Sequence, residues 1–310
     1  MTYSSWLIGG LFLDGWAHNN TTVESFFTPW HLVLYSGYAA TAAWIFSRVV
    51  HHRAVPAGYG LGVVGVAMFG VGGVGDLIWH TIFGVEVNLA ALISPSHTTL
   101  FVSGLLFLTC PLRAAWSDPH SRRRVSFAKL SPALASLTLA TATVAFFFQE
   151  FSPFLSNSAT LAPGQSEREG LAGVLITTAI LLVPALLLLR RWAVPFGAFT
   201  ALFGVVCAMM APIKGFETGW TALAGLVAGI TADMVVRRLQ PGPTRPGAVR
   251  VFAVTVTLVM WLAYYGLLAV VYTLGWSVEL WGGSTAMAAL TAFGLTLLAA
   301  PPQTPAGIDG

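Results

Sequence analysis

Charge is scarce in this chain. Its 310 residues include 15 Lys and Arg and 12 Asp and Glu, 9% in all, where a soluble globular domain carries roughly 25%. A soluble fold of ordinary composition is therefore excluded. Cysteine is nearly absent. Cys110 and Cys207 stand far apart inside apolar runs, which excludes a disulfide framework or a CxxC motif and reads as two buried small hydrophobes. No Lys or Arg precedes Arg48. The first twenty residues thus lack the basic opening of a signal peptide and read as mature chain. The net charge of +3 is spread over short interhelical segments, which excludes a nucleic-acid role. Strict polar–apolar alternation is missing too, and with it a membrane β-barrel.

Apolar residues are abundant: 56% of the chain is hydrophobic, with a mean hydropathy of +0.76. Uncharged runs such as GVLITTAILLVPALLLL (173–189) are long enough to cross a bilayer as helices. The expected fold class is all-α, a polytopic integral membrane helical bundle with the lipid bilayer as its first partner. Nine full-length spans are expected near 26–49, 57–82, 94–115, 127–149, 169–189, 193–212, 218–236, 250–274 and 280–299, after a shorter apolar stretch at about 5–18. Connections are brief, so residues 1–115 and 116–310 are read as two parts of one membrane unit, with no separate soluble domain.

If the nine spans alternate, 13 of the 15 basic residues fall on one side, which the positive-inside rule makes cytoplasmic. The C-terminus falls on that side as well. Nine of the 12 acidic residues fall opposite, together with His18, His31, His80 and His97. His51, His52 and His120 sit beside arginines and are read as solvated loop residues.

A tandem repeat occupies residues 5–115. DGWAHNNTTVESFFTPWH (14–31) and DLIWHTIFGVEVNLAALISPSH (76–97) both read Asp-x3-His-x5-Glu, a spacer, then [Ser/Thr]-Pro-x-His, with Ser36-Gly37 and Ser103-Gly104 shortly after. Asp14 and His18, like Asp76 and His80, are i and i+4 and share a helix face. The hydroxyl-proline pair opens a helix as N-cap and N1, which places His31 and His97 at N3. Each copy is therefore expected to be a helical hairpin, parallel to the other, whose tip offers one carboxylate and two imidazoles. That set suits copper, zinc or iron. The expected metal ligands are Asp14, His18, His31, Asp76, His80 and His97. Glu24 and Glu86, in the turns, are expected to orient the imidazoles, with further ligands or solvated turn residues as the other readings. Two arrangements stand open, an ion in each hairpin or one dinuclear cluster.

Other features are read more plainly. GVGGVGD (71–76) lacks the Lys-Ser/Thr of a phosphate loop and reads as close helix packing. Asp233 is expected to pair with Arg237 one turn later. Glu150, Lys214 and Glu217 are expected at outer helix ends, where they either line a shared cavity or face water, with water the preferred reading.

The pattern Asp-x3-His-x12-His of Asp14, His18 and His31 resembles the copper site in the C subunit of the copper membrane monooxygenases, the particulate methane and ammonia monooxygenase group. That subunit carries a second Asn-x3-His…His set, which is similar to Asp76, His80 and His97, with Asp for Asn and a longer spacing here. The resemblance covers about the first 105 residues. It implies a copper site inside the membrane, a small apolar substrate, and companion membrane subunits or a homo-oligomer. From the residues themselves, a zinc-dependent intramembrane hydrolase and a metal-delivery protein stand as alternatives to a copper oxygenase.

Overall fold

The computed structural model describes residues 1–21, 26–84, 88–120, 123–155, 159–160, 166–217 and 219–299. Among these the chain is helical, without strands. The first part comprises α1 (Thr2–Asn20), α2 (Pro29–His52), α3 (Gly60–Phe83), the short α4 (Asn88–Ile93), α5 (Pro95–Leu108) and α6 (Cys110–Ser117). The second comprises α7 (Phe127–Phe147), α8 (Glu167–Arg191), α9 (Ala198–Met210), α10 (Leu223–Leu239), α11 (Pro246–Val271) and α12 (Val278–Ala299).

Among the described residues seven helices are long and apolar enough to cross a membrane: α3, α5 with α6, α7, α8, α10 with the turn before it, α11 and α12. Nine were expected. The helix at 26–49 forms as α2, but its composition is less apolar than that of the seven. The expected span at 193–212 is reduced to α9, whose 13 residues reach only ~20 Å. The short stretch at 5–18 lengthens instead, to the 19 residues of α1. Outward faces are apolar, with Leu32, Val71, Ile82, Val270 and Leu298 exposed, as a lipid-facing surface requires.

Sequence chemistry sets the helix ends. Thr28 and Ser94 are N-caps whose side chains accept the amide protons of His31 and His97, and Pro29 and Pro95 follow them. Ser166 caps α8 in the same way, with Glu167 and Glu169 in the first turn and Arg190 and Arg191 in the last, each charge complementing the helix dipole. Asp233, in α10, accepts from Phe199 N, Thr200 N and Thr200 Oγ1 at 3.2, 3.0 and 2.6 Å. It caps α9 from a neighbouring helix instead of pairing with Arg237, because three donors at a helix start satisfy a buried carboxylate better than one flexible arginine at the surface. Between α5 and α6, Pro111 interrupts the ladder. Ser136 of α7 enters the break, accepting from Leu112 N and donating to Leu108 O.

α1 packs along α2 and α3 along α5. A Cβ on Gly10 would lie 2.6 Å from Leu34 Cα, and one on Gly37 would lie 2.6 Å from Leu7 N, so these two glycines are where the α1 and α2 backbones touch. In the second pair the close approach comes from α3, where a Cβ on Gly65 would lie 2.7 Å from Ser103 O and one on Gly72 would meet Thr99 and Leu100 at 3.2 Å. The glycine run is thus a packing stripe. Tyr38 OH donates to Val66 O and its ring stacks on Phe69, joining α2 to α3. Phe12 packs edge-on against Phe146, joining α1 to α7. His51 and His52 end α2 instead of lying in a loop, and both are exposed, as is His120. Both cysteines are buried and free.

Candidate metal centre

The C-terminal ends of α1 and α3 and the N-terminal ends of α2 and α5 lie at one end of the bundle. Asp14 and His18 project from the last two turns of α1, and His31 reaches them from the first turn of α2. His18 Nε2 is 3.6 Å from Asp14 Oδ2, and His31 Nε2 is 3.3 Å from Asp14 Oδ1. The second group repeats this: His80 Nε2 and His97 Nε2 stand 3.5 and 3.2 Å from Asp76 Oδ1. Within each group one ligand atom from every residue lies within 4.8 Å of the others. Asp76 is 1% exposed and His31 8%. Glu24 and Glu86 lie outside the described residues.

The outer ring nitrogens fix what the inner ones present. His31 Nδ1 lies 2.5 Å from Phe26 O, and His80 Nδ1 lies 3.2 Å from Gly84 O. A carbonyl only accepts, so in both rings Nδ1 carries a proton, and in the neutral ring Nε2 turns a lone pair toward a carboxylate oxygen. In that state acceptor faces acceptor. Asp14 Oδ1 is buried with no hydrogen-bond partner among the described residues. Such an arrangement is relieved by a cation between the two atoms, a proton or a metal ion, and imidazoles anchored through the far nitrogen are how proteins aim histidines at metals. Two ligands bonded at about 2.0–2.1 Å to one ion, at tetrahedral or trigonal angles, stand about 3.3–3.6 Å apart. The four carboxylate–imidazole separations of 3.2–3.6 Å match that spacing. The residues therefore fit a metal ion in each group.

The groups are not equivalent. Ser96 Oγ donates to Asp76 Oδ1 at 2.9 Å and also lies 3.1 Å from Ser94 Oγ. At the matching place in the first copy stands Trp30, and Asp14 has no such donor.

Both groups line a single cavity of about 570 Å³. Phe26 stands between them, its ring 4.9 Å from that of His31 and 6.2 Å from that of His80. Apolar side chains form most of the remaining wall, with Tyr35 from α2. Gln149, Glu150 and Lys214 close it from the second part of the chain. Glu150 and Lys214 pair at 3.9 Å at the cavity wall while staying partly exposed, so of the two expected readings the cavity-lining one describes them better. Physically, two opposite charges beside an apolar wall hold each other more strongly than either would in solvent.

Ser96, Tyr35 and Gln149 were missed by sequence reasoning. A signal existed for Lys214: it is one of two basic residues at the acidic end of the bundle. Gln149 also ends the otherwise apolar run ATVAFFFQ. Comparison with protein-family models, curated proteins and solved structures returns no match for this chain, so its chemistry rests on its own residues.

Proposed function

We propose that this is a multi-pass membrane metalloprotein that holds one transition-metal ion in each Asp/His/His group and oxidises a small molecule admitted to the shared cavity, with copper as the metal. The observation that carries this reading is the His31 Nε2–Asp14 Oδ1 pair, two acceptors 3.3 Å apart, one of them a buried carboxylate oxygen without a hydrogen bond. The two hairpins, α1 with α2 and α3 with α5, are taken as copies of one ancestral unit. The triad end is placed on the non-cytoplasmic side and the arginine-rich end in the cytoplasm. Copper is one of the ions the ligand set suits, and the resemblance of Asp14, His18 and His31 to the monooxygenase C subunit favours it over zinc and iron.

The roles of the residues follow from their placement. Asp14, His18 and His31 would hold one ion, and Asp76, His80 and His97 the other. Bound copper would supply one-electron redox chemistry. Phe26 O and Gly84 O hold the rings of His31 and His80 in the tautomer that leaves Nε2 bare. Ser96 steadies Asp76. The apolar wall, including Phe69, Phe101 and Phe146, excludes water from the space over both groups.

Metal analysis of protein purified in mild detergent tests this. About two equivalents of copper are expected in the wild type and about one in His31→Ala and in His97→Ala. Zinc at stoichiometric amounts without copper would move the site to hydrolysis. A metal content unchanged in both variants would remove the reading altogether.

A further inference from the structure

The cavity is elongated along the bundle and changes character with depth. Leu7 lies seven residues before Asp14 on α1, and Phe69 seven before Asp76 on α3, each about 10 Å below its carboxylate at 1.5 Å per residue. Leu108 lies eleven residues beyond His97, about 16 Å along α5. All three line the same cavity as the two triads. Its deep end is hydrocarbon, and its polar atoms gather at the triad end.

There the second half of the chain adds a polar group that the metal ligands do not need. Gln149 is 6% exposed, lines the cavity, and its Oε1 has no hydrogen-bond partner. A buried amide oxygen in that state is stabilised by a donor brought to it. Its charged neighbours Glu150 and Lys214 are paired with each other, and a carboxylate head, which only accepts, has no proton to give Gln149 Oε1.

We infer that the cavity binds a neutral linear amphiphile with a hydroxyl head, a primary alkanol, whose O–H donates to Gln149 Oε1 while its alkyl chain lies along Leu7, Phe69 and Leu108. This rests on the reading of the cavity as the substrate chamber of the metal pair, and it adds the substrate class and the residue that recognises it. A purely apolar molecule would leave Gln149 unanswered. A fatty acid's carboxylate only accepts and would leave Gln149 Oε1 equally unanswered.

The test uses the full chain in lipid nanodiscs and an octanol carrying a diazirine on its chain as photolabel, with crosslinks mapped by mass spectrometry. Crosslinks are expected on α1, α3 and α5. Competition with 1-octanol should be roughly tenfold stronger than with octane or octanoate, the size of effect that one neutral hydrogen bond to a buried acceptor gives. Gln149→Leu, similar in volume but without an acceptor, should erase the preference for octanol over octane. Leu7→Trp should shorten the longest alkanol that competes. Equal competition by octane and octanol in the wild type overturns the inference without any variant, as does an unchanged preference in folded Gln149→Leu. Strongest competition by octanoate overturns it in favour of an anionic ligand. Metal content of the same samples separates the two proposals. Two bound ions with no alkanol selectivity remove this inference alone, and alkanol selectivity in a metal-free protein removes the metal reading alone.

Discussion

At the start of α2, Thr28 Oγ1 accepts the amide proton of His31 while Phe26 O takes the proton of its ring. The same residue is thereby positioned twice, once by its backbone and once by its far nitrogen. His97 is capped likewise by Ser94, whose hydroxyl also lies 3.1 Å from His97 Nδ1. The two centres differ at the carboxylate, where Ser96 touches Asp76 and Trp30 makes no equivalent hydrogen bond to Asp14. Hydrogen-bonded support of a ligand is worth about 10–100-fold in metal affinity. Ser96→Ala is therefore expected to weaken one of two metal-binding events by at least about tenfold and to leave the other unchanged. Titration of metal-free protein, in which the two events are resolved in wild type and variant, checks this. Equal weakening of both events would mean that the centres form one coupled cluster.

At the scale of the element, the hairpins depend on backbone contact between helices. Gly9 and Gly10 are adjacent in α1, yet a Cβ on Gly9 would meet nothing within 4 Å, while one on Gly10 would lie 2.6 Å from Leu34 Cα. Backbone cannot retreat as a flexible side chain can. Gly10→Ala is expected to destabilise by about 1–3 kcal/mol through overpacking. Gly9→Ala is expected to be neutral or to stabilise by up to about 1 kcal/mol through helix propensity. Thermal unfolding in one detergent compares them directly, and metal content adds a second readout, since Gly10→Ala moves Asp14 and His18 away from His31 but leaves the second centre alone. The spacer of the second copy is four residues longer than that of the first, and it contains the short helix α4. The extra length is thus taken up as helical turn without disturbing the N3 placement of His97.

At the scale of the whole molecule, the acidic end gathers both triads and the arginine clusters gather at the other. If the arginine end is cytoplasmic, a cysteine at position 27 and one at position 120 must react from opposite sides. Phe27 is 81% exposed at the triad end, and the His120 side chain is 93% exposed at the other. The native Cys110 and Cys207 are buried and give little background. In intact cells a membrane-impermeant maleimide should label Phe27→Cys at once and His120→Cys only after permeabilisation. The reverse pattern would invert the orientation and place the cavity toward the cytoplasm.

Helical class, membrane character, both triads and both helix caps were legible in the amino-acid order, because each rests on local relations: apolar run length, the i, i+4 face shared by Asp14 and His18, and a hydroxyl followed by proline. Span count was less legible. α9 opens at Ala198 after the left-handed Gly197, and its first amides are taken by Asp233 of α10, a partner that no local pattern around residue 198 announces. For Glu150 and Lys214 the amino-acid order left cavity wall and water both open. Whether a residue at a helix end meets water or a cavity depends on which helices stand beside it, and that is settled by packing across more than a hundred positions of chain. The sequence by itself determined which groups could grip a cation. Only the tertiary structure decided that both centres open on one chamber and that the far half of the chain supplies its remaining polar wall, since those facts depend on contacts between segments that share no local code.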